Sequence, residues 1–315
     1  MAKLRVAVLR GGRSSEHEIS LESARSVIDG LDPDRYEVVP IDIPREGPWL
    51  LHPAEAARLD VVFPVLHGPF GEDGSVQGLL ELADVAYVGA GVAASALAMD
   101  KDLFKAVMRD KGIPVARSLT LRDGEAAESP FGFPCVVKPA RLGSSVGISM
   151  VGSEDELPAA LKLAFAHDEK ILLEELLDGV EVECSVLGNA DPIASVPGEI
   201  VPLASDWYDY EAKYAAGGME LVVPPRVSAE ATARVQELAV AAFVASDCEG
   251  MARVDCFVRP DGQVVVNELN TIPGFTTTSV YAKLFGASGI SYPELLDRLV
   301  ELALERRDRR AGLRY

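Results

Sequence analysis

The chain has 315 residues, 48% of them hydrophobic and 25% charged, the balance of a folded soluble protein with room for two ordinary domains or three small ones. A formal net charge of −19 argues against nucleic acid or an anionic membrane surface as a partner, since both reward a basic face. The four cysteines, Cys135, Cys184, Cys248 and Cys256, lack C-x-x-C spacing, which fits buried reduced thiols and argues against a zinc site.

The N-terminal MAKLRVAVLRGG runs straight into a strand without the pattern of a signal segment. The longest apolar run, Val85 to Met99, is too short and too broken to span a membrane. A cytoplasmic protein is expected. Leu4 to Leu9 is predicted as a strand ending in Gly11-Gly12, followed by a helix from Ser20 to Leu31. Glu37–Ile43, Asp60–Pro64 and Ala86–Val88 are further strands, with a helix from Gly74 to Leu82. Strand alternating with helix predicts a parallel α/β sheet, and ligands gather at the carboxyl ends of such strands. Those ends carry Gly11 to Glu18 and His67 to Gly74. No G-x-G-x-x-G follows the first strand, which argues against a nicotinamide or flavin. Glu16 and His67 lie near the strand ends, where a carboxylate could hold a substrate ammonium group, although each alone also fits a loop cap or a surface charge.

Ala93 to Lys111 is predicted as one helix with Met99-Asp100-Lys101 inside it, and Leu121 to Phe131 as a linker. Phe133 to Pro139 reads as a buried strand that carries Lys138 near its end. After it, Gly143-Ser144-Ser145-Val146-Gly147 separates two strands. The amides and hydroxyls of such a loop can meet phosphate oxygens, with Lys138 adding charge at its base; taken alone, the loop also fits a plain hairpin. No G-x-x-x-x-G-K-[ST] occurs, so a P-loop is excluded. Glu154 to His167 is a helix, and Lys170–Leu177 and Glu181–Leu187 are strands. Trp207 to Gly218 mixes aromatics, charge and glycine, which fits a flap over a site or an anchored surface loop. Ala229 to Ser246 and Tyr292 to Arg306 are helices, the second trailing into Arg307-Asp308-Arg309-Arg310, a solvated basic end.

From Met251 the chain reads MARVDCFVRPDGQVVVNELNTIPGFTTTS. Ala252, Val254, Cys256 and Val258 alternate with Arg253, Asp255 and Phe257, and Pro260-Asp261-Gly262 turns the chain back through Val264 to Val266 into Glu268 and Asn270, the pattern of a hairpin. Pairing Val258 with Gln263 sets Arg253 opposite Glu268, with Asp255 diagonal to it. Asp255, Glu268 and Asn270 supply the oxygen ligands a hard cation takes in phosphoryl transfer. The face alone also fits a solvated salt bridge.

Lys138-Pro139 with its Gly-Ser loop, the Glu174 strand, the EAKY segment and the R-x-D…N-E-x-N hairpin resemble the ATP-grasp fold. The whole chain more closely resembles D-alanine–D-alanine ligases, through GGRSSEHEIS at 11–20, LHGPFGEDGSVQG at 66–78, MDK at 99–101, KPARLGSSVGIS at 138–149, YDYEAKY at 208–214, RVDCF and NELNTIPGFTTTS. The resemblance implies an α/β protein whose C-terminal part is α+β: an N-terminal parallel α/β substrate domain (1–95), a central ATP-grasp subdomain (96–180) and a C-terminal one with metal site and flap (181–315). It implies ATP-dependent joining of two D-alanines through a D-alanyl phosphate, for peptidoglycan precursor synthesis, by a homodimer. Acceptors D-serine or D-lactate, or a non-catalytic ATP-binding regulator, are the alternatives.

By the same resemblance, Lys101, Lys138 and Lys213 contact the ATP phosphates, Glu174 the adenine amino group and Glu181 the ribose. Ser144, Ser145, Glu175, Leu177, Asn267 and Glu268 complete the ATP contacts. At Glu175 many relatives carry lysine. Asp255, Glu268 and Asn270 would bind two magnesium ions, with manganese as a substitute and a monovalent cation as an optional addition. Glu16, helped by His67, would hold the first D-alanine's ammonium, and Ser279 the second one's carboxylate. Arg253 and the Gly274 amide would stabilise the oxyanion, while Ser144 and Tyr214 would tie loop and flap to Glu16.

Overall fold

The computed structural model describes residues 2–123, 125, 128–203 and 218–314. Trp207 to Gly217 of the expected flap, with Lys213 and Tyr214, lie outside the described residues.

The N-terminal sheet is parallel, in the order β2 (Tyr36–Ile43), β1 (Leu4–Gly11), β3 (Val61–Pro64), β4 (Ala86–Tyr87). Val6, Val8 and Phe63 enter one apolar cluster, while Ala7, Leu9 and Val62 enter another on the opposite face. Burial on both faces is why these strands read as unbroken apolar runs. α1 (His17–Gly30) brings Ala24 and Val27 to the first cluster, and α3 (Ser75–Leu82) brings Val76 and Leu80 to the second, which the short α2 (Pro53–Ala56) joins through Ala56.

The helix predicted from Ala93 to Lys111 is two helices, α4 (Val92–Met99) and α5 (Lys101–Asp110), broken at Asp100 where ψ is 95°. The break has a polar cause. The Asp100 carboxylate accepts from Leu103 N at 3.2 Å, capping α5, and pairs with Lys170 Nζ at 2.6 Å in the interior. Lys101 and Lys105, four residues apart, then share one face of α5.

A second, antiparallel sheet has the order β5 (Ser118–Arg122), β8 (Lys170–Glu175), β6 (Cys135–Pro139), β7 (Ser149–Val151). Leu121 and Arg122, predicted as the start of a linker, belong to β5. α6 (Leu157–Phe165), after a 3-10 turn at Glu154–Glu156, covers this sheet with Leu157, Ala160 and Ala164.

The third sheet runs β12 (Met219–Val222), β11 (Gly198–Pro202), β9 (Val180–Gly188), β13 (Gly250–Val258), β14 (Val264–Asn270), with β10 (Ile193–Ala194) paired to β9. All its pairs are antiparallel. α7 (Ala229–Ala245) packs Val235, Leu238 and Ala242 against it. The hairpin register corrects the sequence reading: Val258 pairs with Val264, and a shift between Cys256 and Asp255 skips Asn267, so that Asp255 faces Glu268 and Arg253 faces Asn270. A one-residue bulge leaves the alternation of side chains intact on one strand and displaces it on the other, which strict alternation does not reveal.

Two helices close the chain, α8 (Val280–Ala287), which the sequence reading missed, and α9 (Tyr292–Ala311), which continues through the basic end. Arg309 and Arg310 there pair with Glu249 and Glu81. The buried Arg306 donates to the carbonyls of Gly89 and Tyr87 and stacks over the Tyr87 ring at 4.1 Å. Phe275, Tyr281, Phe285, Leu295 and Leu299 join Val6, Val8 and Phe63 in one cluster, so the C-terminal helices back the N-terminal sheet. Among the described residues, no helix is long and apolar enough to cross a membrane.

Candidate active site

The first corner of the site lies at the carboxyl ends of β1 and β3. Glu16 immediately precedes α1 and is buried. Ser144 Oγ, from the loop after β6, donates to Glu16 Oε1 at 2.6 Å, a charge-assisted bond that brings the glycine-serine loop to the parallel sheet. Gly68 is required beside it: its φ is +72°, and a Cβ there would stand 2.8 Å from Glu16 Oε2. His67 is buried, with Nδ1 3.0 Å from the Ile272 carbonyl and Nε2 3.2 Å from Ser23 Oγ. The carbonyl can only accept, so Nδ1 carries the proton and Ser23 donates to Nε2. Burial holds His67 below its ordinary pKa, against the opposing pull of Glu16. With both nitrogens engaged by the protein, the imidazole braces the loop after β14 and stands beside Glu16 as a neutral neighbour.

Glu72, which the sequence reading passed over, accepts from Gly68 N at 2.6 Å and from Ile272 N at 3.2 Å. Burial and the nearby Glu16 push its pKa up to about 8, and the two amides and Arg253 only partly offset this. Its acidic place within HGPFGEDG was a usable signal, since a carboxylate amid turn residues is well placed to accept backbone amides.

The second corner is built on β6, β8 and α5. Lys138 Nζ lies 2.7 Å from Glu174 Oε2, and Lys105 Nζ lies 3.3 Å from Glu174 Oε1 and 3.4 Å from the carbonyl of Asn267. Burial alone would raise the pKa of Glu174, but the charges of Lys105 and Lys138 outweigh it and hold the carboxyl below its ordinary value. Lys101 Nζ donates to the Leu142 carbonyl at 2.7 Å and lies 3.4 Å from Glu268 Oε2. Ser144 and Ser145 have φ of 53° and 58°, a left-handed pair that non-glycine residues hold only under constraint. Consecutive amides in turns of this kind form anion-binding concavities. Glu175 turns outward to Arg117 at 2.7 Å. Leu177 and Glu181 follow on the connection into β9 and on β9 itself.

The third corner is the hairpin. Arg253 grips both oxygens of Asp255 at 2.7 Å each, and its Nε is 2.9 Å from Glu183 Oε2 on the neighbouring strand. Asn270 Nδ2 donates to Asp255 Oδ2 at 3.0 Å. Glu183, Asp255 and Glu268 lie in cross-strand register on β9, β13 and β14. No cluster of three His, Cys, Asp or Glu among the described residues forms a closed metal cage. A hard cation that completes its shell with phosphate oxygens needs only one or two carboxylates, and Asp255, Glu268 and the Asn270 carboxamide fit that demand. Past β14, Gly274 packs against Ser279, whose Oγ accepts from Thr276 N at 3.0 Å. Ser279 precedes the first turn of α8, where free helix amides favour a carboxylate.

The structure thus gathers Glu16, His67 and Ser144 at one corner, Lys101, Lys138 and Glu174 at a second, and Arg253, Asp255, Glu268 and Asn270 at a third. Beyond the sequence reading it adds Glu72, Lys105 and Glu183. A parallel α/β domain followed by two antiparallel sheets, one bearing a lysine-backed glycine-serine loop and the other a carboxylate hairpin, defines an ATP-grasp protein of the carboxylate–amine ligase class. A family model described as D-ala D-ala ligase C-terminus matches residues 107–301, and one described as D-ala D-ala ligase N-terminus matches 5–59 and 51–90. The chain is 47% identical over 350 residues to the D-alanine–D-alanine ligase A of Mesorhizobium japonicum, covering 96% of this chain and 98% of that one. Among solved structures, the D-alanine–D-alanine ligase of Coxiella burnetii is similar with a TM-score of 0.88 and 38% identity, covering 99% of this chain and 97% of that one. The VanG D-Ala:D-Ser ligase of Enterococcus faecalis gives 0.87 and 37%, covering 96% and 100%. The chain belongs to the D-alanine–D-alanine ligase family.

Proposed function

We propose that the protein joins two D-alanines in an ATP-dependent reaction that supplies D-alanyl-D-alanine for peptidoglycan precursors. The observation that carries this reading is the Ser144–Glu16 bond. It places the carboxylate suited to a substrate ammonium against the loop suited to the transferring phosphate, as formation of an acyl phosphate requires.

In the first step a carboxylate oxygen of the first D-alanine attacks the γ-phosphorus, and ADP leaves. Then the amine of the second D-alanine attacks the acyl carbon, loses a proton, and phosphate leaves. Glu16 holds the first ammonium, with His67 bracing it. Lys101, Lys138, Ser144 and Ser145 meet the phosphates, Glu174 the adenine amino group, Glu181 the ribose, and Glu175, Leu177 and Asn267 the surrounding nucleotide. Arg253 and the Gly274 amide receive the oxyanion, and Ser279 with the amides of α8 the second carboxylate. Lys213, for the γ-phosphate, and Tyr214, beside Ser144, are assigned on the EAKY motif alone.

Asp255, Glu268 and Asn270 would hold two magnesium ions, or manganese, whose charge neutralises the phosphate oxygens; a monovalent cation is an optional activator. The chain divides at 1–95, 96–180 and 181–315, and works as a cytoplasmic homodimer, the commonest closed assembly.

Incubation with ATP, magnesium and a mixture of D-alanine, D-serine and D-lactate is expected to yield mainly D-alanyl-D-alanine, with one phosphate released per dipeptide. VanG is the reason to include D-serine. Mostly mixed dipeptide or ester would reassign the acceptor, and absence of phosphate release would support a non-catalytic nucleotide binder.

A further inference from the structure

Lys105 has no place in the roles given so far, yet it is fully buried. An ammonium group is held in a protein interior only against matched partners. Lys105 has two within reach: Glu174 Oε1 at 3.3 Å, on the second sheet, and the Asn267 carbonyl at 3.4 Å, on the third.

The two oxygens of Glu174 are unequal. Oε2 is bonded to Lys138 at 2.7 Å, whereas Oε1 is buried and accepts no well-aligned hydrogen bond among the described residues. It faces Lys105 across an ion-pair distance only, so a lone pair is left for another donor. Under the reading above, that donor is the exocyclic amino group of adenine.

Asn267 is the residue skipped by the hairpin bulge, and the shift it absorbs sets Glu268 opposite Asp255. One turn earlier on α5, Lys101 faces Glu268 itself at 3.4 Å. A single helix therefore holds the base-side carboxylate with one lysine and the phosphate side with another. Lys138, at the foot of the glycine-serine loop, has an alternative partner in phosphate, whereas Lys105 is fully buried.

We propose that Lys105 is a positioning residue for the nucleotide base: it fixes Glu174 with Oε1 turned towards an adenine amino group and ties that carboxylate to the bulge of β14. The proposal rests on the nucleotide reading of this site. A guanine base presents a carbonyl where adenine presents the amino group, so a fixed carboxylate selects ATP over GTP, and loss of its anchor weakens that choice.

Dissociation constants for ATP, GTP and inorganic tripolyphosphate would be measured on the wild-type protein and on K105M, E174Q and K105M/E174Q. K105M is expected to weaken ATP ~10-fold or more and shrink the ATP-to-GTP preference by a similar factor, the effect of freeing one charged hydrogen-bonding group, with tripolyphosphate unchanged. With Glu174 already neutral, loss of Lys105 is expected to leave the preference as it is in E174Q, a comparison that stands even if K105M alone does not fold. Equal weakening of all three ligands in K105M would reduce Lys105 to a structural counter-ion and overturn the proposal, as would a change in preference on removing Lys105 from the E174Q protein. Unaltered ATP binding in folded K105M would overturn it too. Failure of the wild-type protein to bind ATP would instead overturn the nucleotide reading, and this proposal with it.

Discussion

Replacing Arg253 by methionine separates what this residue does for the fold from the oxyanion role proposed for it in the reaction. In the structure the guanidinium is bidentate to Asp255 and also lies 2.9 Å from Glu183, and both carboxylates are only 2% exposed. Asp255 and Glu183 face each other across β13 and β9. Without Arg253, two like charges remain together in the interior. Removing one partner of a buried ion pair costs about 3–5 kcal/mol, a large share of the stability of an ordinary domain. Loss of an oxyanion donor adds about 2.7–4 kcal/mol to the barrier, or ~100- to 1000-fold in turnover. Denaturant titration reads the first effect, and phosphate release at saturating D-alanine, below the melting range of the variant, reads the second. Magnesium is expected to restore more stability to R253M than it adds to the wild type, because Asp255 then lacks the guanidinium that neutralises it. Turnover near wild type in the folded variant would remove Arg253 from the reaction. An unchanged denaturation midpoint would show that Asp255 and Glu183 do not depend on it.

Three other substitutions test the remaining corners. S144A removes a charge-assisted bond to Glu16 and is expected to raise the KM for D-alanine ~10- to 100-fold at little cost in melting temperature; steady-state kinetics with ATP saturating would show it. D100A removes both the cap of α5 and the interior partner of Lys170, and is expected to destabilise the protein by about 3–5 kcal/mol, well above the roughly 1 kcal/mol of a cap alone, as measured by denaturant unfolding. For Glu72 the folded protein holds a proton up to about pH 8 that the unfolded chain releases near the ordinary carboxyl range. This group's contribution therefore falls as pH rises from about 4.5 to 8. His67, held low by burial, contributes the opposite slope below its ordinary value, so the informative quantity is the difference between wild type and E72Q, measured by denaturation at pH 5.5 and 8.5. The wild type is expected to lose more stability across that interval, and equal losses would refute the shift.

The sequence already showed the parallel N-terminal sheet, because strands buried on both faces read as apolar runs between helices, and Gly11-Gly12 and Gly68 mark where those strands end. It also showed Lys138 with its loop and the Arg253–Asn270 hairpin, because their polar residues interrupt apolar patterns at fixed spacing. Two features escaped for local reasons. Asp100 sits inside a continuous helical pattern, and the break there depends on its contact with Lys170, 70 residues away, as well as on its cap of α5. The bulge at Asn267 leaves no mark in the alternation of β13, and together with a turn one residue longer than expected it moves Arg253 from Glu268 to Asn270. The larger omission was long-range. Ser144 meets Glu16 across 128 residues, His67 meets Ile272 across 205, Glu72 meets Ile272 across 200, and Lys105 meets Asn267 across 162. No periodicity reports such pairs, so a motif could name the residue types of the site without giving Glu72, Lys105 or Glu183 their partners.

Two kinds of junction hold the three corners together, and their chemistry differs. Between the N-terminal sheet and the C-terminal helices the contact is apolar: Phe63 packs edge-on against Phe275 at 5.5 Å between ring centroids, within the cluster that also takes Tyr281, Leu295 and Leu299. Burial of that kind is not directional and has no alternative partner, so it fixes Ile272, and through it His67 and Glu72, relative to Glu16. The second sheet keeps a separate core, drawn among the described residues from those between Leu119 and Leu173. Ser144 to Glu16, Lys101 to the Leu142 carbonyl, Lys105 to Glu174 and Lys170 to Asp100 join it polar-wise to the rest. Polar partners can be exchanged at nearly constant energy when a substrate offers equivalent oxygens. The proposed reaction asks for that exchange at Lys101 and Lys138 and asks for constancy at His67 and Glu72, and the two junctions are divided in the same way.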